Sequence, residues 1–332
     1  MSNLQEILVQ LSQTFGASGR EDLVRQLIEQ EIFAYVDEIK TDPLGNLVAV
    51  RRGEGRKIMM SAHMDEIALM ITYIDEHGFL RFTNVGGQSP SILLGSQVVF
   101  GNGTIGAIYS EPLEDPKNLQ LSKLYIDIGA KDREDAKAKV AVGDMAVFHS
   151  QPAVLGNRLM AKALDDRAGC AILIETIKRR PSTPKALYFV FSVQEEVGAR
   201  GARTAAFGID PDVALAVDIT LTGDTPESKP PMAVELGKGP AIKVMDRLLV
   251  AHPAIKRLMV ETAEMRSIPY QIEVLTHGGT DAGTIHIARE GIPSGVLSLP
   301  CRYGHTPNEM IDLDDLENAV KLLVALLENP AL

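Results

Sequence analysis

The sequence predicts an α/β protein: a mixed, largely parallel sheet with helices on both faces, interrupted by a small β-barrel insert. Three observations predict it. Apolar strands alternate with amphipathic helices up to about residue 67 and again from about residue 156, the pattern of parallel strands joined by crossover helices. Between residues 68 and 155 the texture changes to short, closely spaced strands, which suit a small barrel. The 332-residue chain is 45% hydrophobic and 23% charged, ordinary globular composition with ample material for a core. The expected division is an α/β domain of residues 1–67 and 156–332 around an insert of residues 68–155.

The first element, "MSNLQEILVQLSQTFG", reads as an amphipathic helix with Leu4, Ile7, Leu8 and Leu11 on its apolar face. Ser18 and Glu21 have capping-box spacing before a second helix. "TDPLGNLVAV" gives a turn and a strand, and "KIMMSAHMDE" a short buried strand ending near His63. In the insert, "ALMITYIDEHGFLRFTNV" and "SQVVFGNGTIGAIYS" read as hairpins, the second turning at Gly101-Asn102-Gly103. "KLYIDIG" and "DMAVFHS" add strands, with a brief helix near "DREDAKAK". Beyond it come the helix "DRAGCAILIETIKRR" and the strands "ALYFVFSV" and "VALAV", then a Pro-rich loop, "LTGDTPESKPPM". A helix from Pro253 to about Arg266, the strand "YQIEVL", the helix "TDAGTIHIAREG", the strand "SGVLSL" and a last helix capped by Asp312 complete the chain.

Bulk properties exclude several classes. A net charge of −11 without a basic patch argues against nucleic acid. No apolar run approaches the roughly 20 residues that span a bilayer. The N-terminus lacks the basic start and apolar core of a signal peptide. Cys170 and Cys301 are too few for a disulfide framework. The expectation is a soluble cytoplasmic protein.

The chemistry-bearing residues fall at strand exits. His63 follows "KIMM", with Asp65 two residues on; Glu195 and Glu196 end "YFVFSV"; Asp218 ends "VALAV"; His305 follows "SGVLSL"; Asp165 opens a helix. In open α/β sheets ligands bind beyond the carboxyl ends of the strands. Imidazole with carboxylate suits zinc, cobalt or manganese. Two histidines and three carboxylates are too many for one tetrahedral site; they fit two ions roughly 3.5–4 Å apart if one carboxylate bridges. Glu195 and Glu196 side by side repel unless one faces a cation and the other a water molecule. Asp65 reads as an acceptor fixing the imidazole of His63. Each residue also has a plainer reading: Asp165 as a helix N-cap, Glu195 and Glu196 as a solvated turn, Asp218 and His305 as loop residues, and Asp65 as a surface acid. "HGGTDAG", with His277 and Asp281, reads equally as a glycine turn and helix cap. His77, His149, His252 and His286 take structural readings.

"AHMDE", "KALDDRAG", "QEEVGARGA", "VDIT", "GGTDAG" and "RYGHT" occur in the order found in the tetrahedral (TET) aminopeptidases, and the chain resembles that family over nearly its whole length. Some members carry an endoglucanase label. The resemblance implies a dinuclear zinc peptidase-like fold with a PDZ-like insert, and an aminopeptidase using two divalent ions, zinc, cobalt or manganese. It implies that His63 and Asp218 hold one ion, Glu196 and His305 the other, and Asp165 bridges. It casts Glu195 as the general acid/base and Asp65 as the residue orienting His63. It also implies a cis peptide between Asp165 and Asp166, peptide substrates, and dimers assembled through the insert into a dodecamer. The expected preference is for neutral or leucine-like N-terminal residues, with Arg302 keeping a glutamyl preference open. Alternatives are a dinuclear amidohydrolase of N-acyl amino acids and a glucanase; the latter is disfavoured by the absence of Trp and by 5% aromatic content.

Overall fold

The computed structural model describes residues 3–229 and 231–332. Three strands come first: β1 (Glu38–Thr41), β2 (Leu47–Arg51) and β3 (Lys57–His63). Six follow in the insert: β4 (Ala68–Ile74), β5 (Leu80–Val85), β6 (Gln97–Phe100), β7 (Ile105–Ser110), β8 (Leu124–Asp127) and β9 (Met145–Phe148). The remainder are β10 (Ala153–Leu155), β11 (Arg158–Ala161), β12 (Ala186–Ser192), β13 (Val213–Leu221), β14 (Ala241–Met245), β15 (Gln271–Val274), β16 (Ser294–Arg302) and β17 (Glu309–Asp312).

The strands outside the insert form one mixed sheet, in the order β1-β2-β12-β3-β13-β16-β17-β11-β10, with β14 paired to β16 and β15 to β14. Its centre, β12-β3-β13-β16, is parallel. These strands read as apolar runs because both faces are covered. Leu, Ile and Phe side chains on one face pack against helices Asn3–Gln13, Asp22–Ile32, Leu164–Arg179, Pro253–Met265 and Leu313–Glu328. Helix Arg200–Ile209 and the turn of helix Ala282–Ile285 cover the other face through Ala202, Ala206, Ile209 and Ile285. The parallel register sends the carboxyl ends of β3, β12, β13 and β16 to one edge. There the chain leaves the sheet with its histidines and acids.

β4 to β9 close into a barrel in the order β4-β5-β8-β7-β6-β9, with its own core of Leu69, Ile71, Leu80, Val98, Ile108 and Ile126. Both expected hairpins are present; Phe100 and Thr104 close the second across the Gly101-Asn102-Gly103 turn.

Within the described residues the first helix runs Asn3–Gln13; Met1 and Ser2, assigned to it from sequence, lie outside them, as does Pro230 of the Pro-rich loop. Two local readings differ, and one strand goes unread in the sequence. Helix Asp22–Ile32 has no capping box: Ser18 Oγ donates instead to Asp65 at 2.6 Å, and Glu21 accepts from the Gly19 amide. Tertiary partners outcompete the helix end because both side chains are buried. "TDAGTIHIAREG" makes only a short helix, Ala282–Ile285, because the chain turns from His286 to Gly291 instead of continuing the ladder. β14, unread in the sequence, runs antiparallel to β16 and adds to the antiparallel pairs at the sheet's flanks.

Candidate active site

Beyond the carboxyl edge lies a cavity of about 450 Å³ whose wall includes His63, Asp165, Glu195, Glu196, Asp218 and His305. The fold brings these together because β3 ends at His63, Ser192 at the end of β12 pairs with His63 in register, and Asp218 lies on the adjacent β13. Gly198, at φ +118°, turns the chain away from the two glutamates, a conformation that L side chains rarely adopt.

Asp165 stands in the middle. Its Oδ1 is 3.1 Å from His63 Nε2 and its Oδ2 3.3 Å from His305 Nε2. His63 Nε2 is also 4.0 Å from Asp218, and His305 Nε2 3.4 Å from Glu196. Asp165 and Asp166 are joined by a cis peptide and break helical geometry at the head of helix Leu164–Arg179. Asp165 is therefore not the helix cap. Asp166 takes that part, accepting from the Gly169 amide at 2.9 Å, while its other oxygen accepts from the His63 amide at 3.1 Å.

Both imidazoles turn the same nitrogen inward. His305 Nδ1 lies 2.7 Å from the Gly87 carbonyl and His63 Nδ1 3.1 Å from that of Asp65. A carbonyl only accepts, so Nδ1 carries the hydrogen in each ring and Nε2 faces the cluster. The Asp65 carboxylate lies 3.5 Å from His63 Nδ1, and its stronger bonds are elsewhere: it accepts from the Glu195 amide at 2.9 Å, the Glu196 amide at 3.2 Å and Ser18 Oγ. Burial opposes the charged form, but His63, Ser18 and the Glu195 amide hold Asp65 below the usual carboxylate range.

The electrostatics are those of acids crowded in a poorly solvated space. Burial lifts Glu195 well above the glutamate range, with Asp218 and Glu196 adding repulsion, and lifts Glu196 and Asp218 each to about 8. Burial disfavours a charged His305, yet Asp165 and Glu196 raise it to about 11; His63 is raised likewise by Asp165 and Asp65. Four acids around two imidazoles are poorly stabilised alone and well matched to divalent cations. Among the described residues, two groups bring potential ligand atoms within 4.8 Å of one another: His63 with Asp165 and Glu196, and His63 with Asp166 and Asp218. Both oxygens of Asp166 already accept backbone amides, so Asp218 is the freer donor of the second group. The donor set, imidazole nitrogen and carboxylate oxygen, fits zinc, cobalt or manganese.

The rest of the wall is apolar at Ile219, Leu221, Leu248 and Leu275, with His277 in a glycine turn and the ammonium of Lys243. Lys243 is fully buried between Glu273 at 3.1 Å and Asp246 at 3.4 Å. Arg302 does not reach the cavity; Asp224 holds it through two bonds of 2.9 and 2.7 Å. Of the Pro-rich loop, only Leu221 is among the described lining residues. Asp281 lies behind the site, accepting from Ser61 and Ser192. Glu309, Lys243 and Ser18 are the site neighbours that sequence reasoning missed. For Glu309 alone a signal existed: an acid four residues after His305 and directly before the apolar pair Met310 and Ile311.

A family profile described as M42 glutamyl aminopeptidase matches residues 45–322. The chain is 54% identical over 320 residues to a putative aminopeptidase of Acetivibrio thermocellus, covering 96% of this chain and 97% of that one. It is 35% identical to a lysyl aminopeptidase of Pyrococcus furiosus, covering 97% and 96%. An aminopeptidase from the archaeon Desulfurococcus kamchatkensis superimposes with a TM-score of 0.95 at 41% identity, covering 98% and 94%. The Pyrococcus horikoshii TET1 peptidase, described as assembling into a tetrahedron or a large octahedral shell, does so with 0.88 at 36% identity, covering 98% and 99%.

Proposed function

The chain belongs to the M42 family of aminopeptidases, and from that premise we propose that it removes N-terminal residues from peptides using two divalent ions and Glu195 as general acid/base. The observation that carries the reading is Asp165, whose two oxygens face two imidazoles that both present Nε2. His63 and Asp218 would hold one ion, Glu196 and His305 the other, and Asp165 would span both. When bound, such a pair supplies Lewis acidity and brings the pKa of water from 15.7 towards about 7.

The remaining work falls to the chain. Glu195 borders the cavity and, among the described residues, no side chain is hydrogen-bonded to its carboxylate, so it is free to take a proton from the attacking water and return it to the departing amine, an effect of about 10²–10⁴-fold. Burial already favours its protonated form, which suits the second half of that exchange. Asp65 fixes the Glu195 and Glu196 amides, so the two carboxylates leave the turn in set directions.

The preference is for neutral, leucine-like N-terminal residues. Ile219, Leu221, Leu248 and Leu275 furnish apolar surface, the charge of Lys243 is shared by Glu273 and Asp246, and Arg302 is spent on Asp224. The active form is a homo-oligomer whose dimer contacts come from the barrel. Ile105 and Tyr109 stand outward on the same face of β7, 51% and 62% exposed.

The test is a panel of amino-acid anilides with metal-stripped protein reloaded with zinc, cobalt or manganese, run beside Glu195→Gln. The expected result is leucyl turnover that needs added metal and a variant that keeps both ions yet loses at least 10²-fold in kcat. Wild-type turnover by the variant refutes the role of Glu195, and metal-independent turnover refutes the mechanism.

A further inference from the structure

We infer that Glu309 is a positioning residue for the ion held by Glu196 and His305, acting through two backbone amides instead of through any ligand side chain. The inference rests on the two-ion reading above.

Glu309 opens β17 and is 2% exposed. Its Oε2 accepts from the Asp165 amide at 3.0 Å and its Oε1 from the His305 amide at 2.8 Å. One carboxylate thus fastens together two residues 140 positions apart whose side chains meet at 3.3 Å. Asp165 departs from helical geometry at the head of its helix, and His305 lies in the turn between β16 and β17. Ala163, just before Asp165, lies at φ +52°, and Tyr303 and His305 lie at +62° and +63°, left-handed values costly for residues with a Cβ. Backbone of this kind persists where surrounding bonds over-determine it, and Glu309 supplies one such bond on each side.

The arrangement parallels Asp65, which accepts the Glu195 and Glu196 amides. Between them, Asp65 and Glu309 set the backbone of Glu196, Asp165 and His305. The amide of His63 is held separately, by Asp166, and Glu309 has no bond to the segment carrying Asp218. Loss of Glu309 therefore acts unequally: the ion of Glu196 and His305 loses the anchorage of two ligands, His305 and Asp165, and the ion of His63 and Asp218 that of the shared Asp165 alone.

Glu309→Gln is the discriminating change. It preserves volume but replaces one acceptor oxygen by an NH₂ that must face an N–H. A merely space-filling role would survive it. Metal-stripped parent and variant are titrated with Co²⁺ by calorimetry, with the visible Co²⁺ spectrum followed in parallel. The expected result is two ions in the parent. In the variant, one ion is weakened about 10–100-fold, the range for partners that orient metal ligands, and the other by a clearly smaller factor. A variant that binds both ions as the parent does, or loses both equally, overturns the inference. A parent that takes up fewer than two ions overturns the two-ion reading and this one with it. Should the variant not fold, hydrogen exchange of the metal-free parent decides: slow exchange at the Asp165 and His305 amides is expected, and rapid exchange at either overturns the inference.

Discussion

Glu21 should make the protein less stable as pH rises towards neutrality, and a single amide should cure it. The side chain is 4% exposed, and burial raises its pKa from 4.5 to about 7 against the opposing pull of the Gly19 amide. Because the folded carboxyl holds its proton more tightly than the unfolded one, the folded state binds more protons between these values. Stability therefore falls as pH climbs from about 4.5 to about 7 and stays lower above it. At about 1.4 kcal/mol per tenfold in proton affinity, the ceiling is about 3.4 kcal/mol, and an effect of about 1–3 kcal/mol is expected. Both backbone donors, Gly19 N at 2.6 Å and Gln194 N at 3.1 Å, go to the same oxygen, Oε1. Glu21→Gln keeps that oxygen and removes the titrating one. Urea unfolding of parent and variant at pH 5 and pH 8 measures the difference. The two should be nearly equal at pH 5, and the variant should be the more stable at pH 8. An equal difference at both values would show that Glu21 acts through shape or hydrogen bonding and not through charge.

Metal uptake should release protons: His305, Glu196 and Asp218 hold theirs at pH 7 in the ion-free protein, at about 11, 8 and 8, and must give them up to serve as ligands. Zinc or cobalt affinity should accordingly rise between pH 6 and 8, with a calorimetric heat that varies with buffer ionisation enthalpy; a buffer-independent heat counts against the ligand set. Arg167 is fully buried, donating to the carbonyls of Leu11, Thr14 and Met64 and pairing with Glu66 at 3.4 Å. Arg167→Met should cost about 3–5 kcal/mol in denaturant unfolding by stranding these partners, and a loss below about 1 kcal/mol would mean that they repair themselves. The pair Ile105→Asp and Tyr109→Asp should lower the mass seen by light scattering without changing the fold by circular dichroism; unchanged mass removes β7 from the contact surface.

Much of this architecture is legible before any coordinates. Covered parallel strands must be apolar throughout, so β3, β12 and β13 announce themselves, and an acid or histidine at the end of such a run stands out against it. His63, Glu195, Asp218 and His305 are visible for that reason. Asp165 is visible only as one of two adjacent acids, and sequence cannot say which of them caps the helix; the break in helical geometry gives the cap to Asp166. What stays hidden depends on tertiary adjacency. Ser18 has the spacing of a capping box, a local pattern overridden by a carboxylate 47 residues away. Lys243 sits in "KVMDR", which reads as surface until β14 and β15 place Glu273 beside it. Arg302 looks poised for substrate because Asp224 is far off in the chain. The closeness of Glu309 to His305 is visible in the sequence, but nothing local reveals that it also receives the amide of Asp165, 144 residues away.

The bond from His305 to the Gly87 carbonyl crosses from the sheet to the stretch that follows β5 of the barrel. A loop of the barrel insert thereby decides which nitrogen of an imidazole in the sheet domain is offered to chemistry. Trimming the insert to make a minimal peptidase would take away the acceptor that orients this ring. If the barrel carries the subunit contacts proposed above, assembly and turnover share one constraint through this bond.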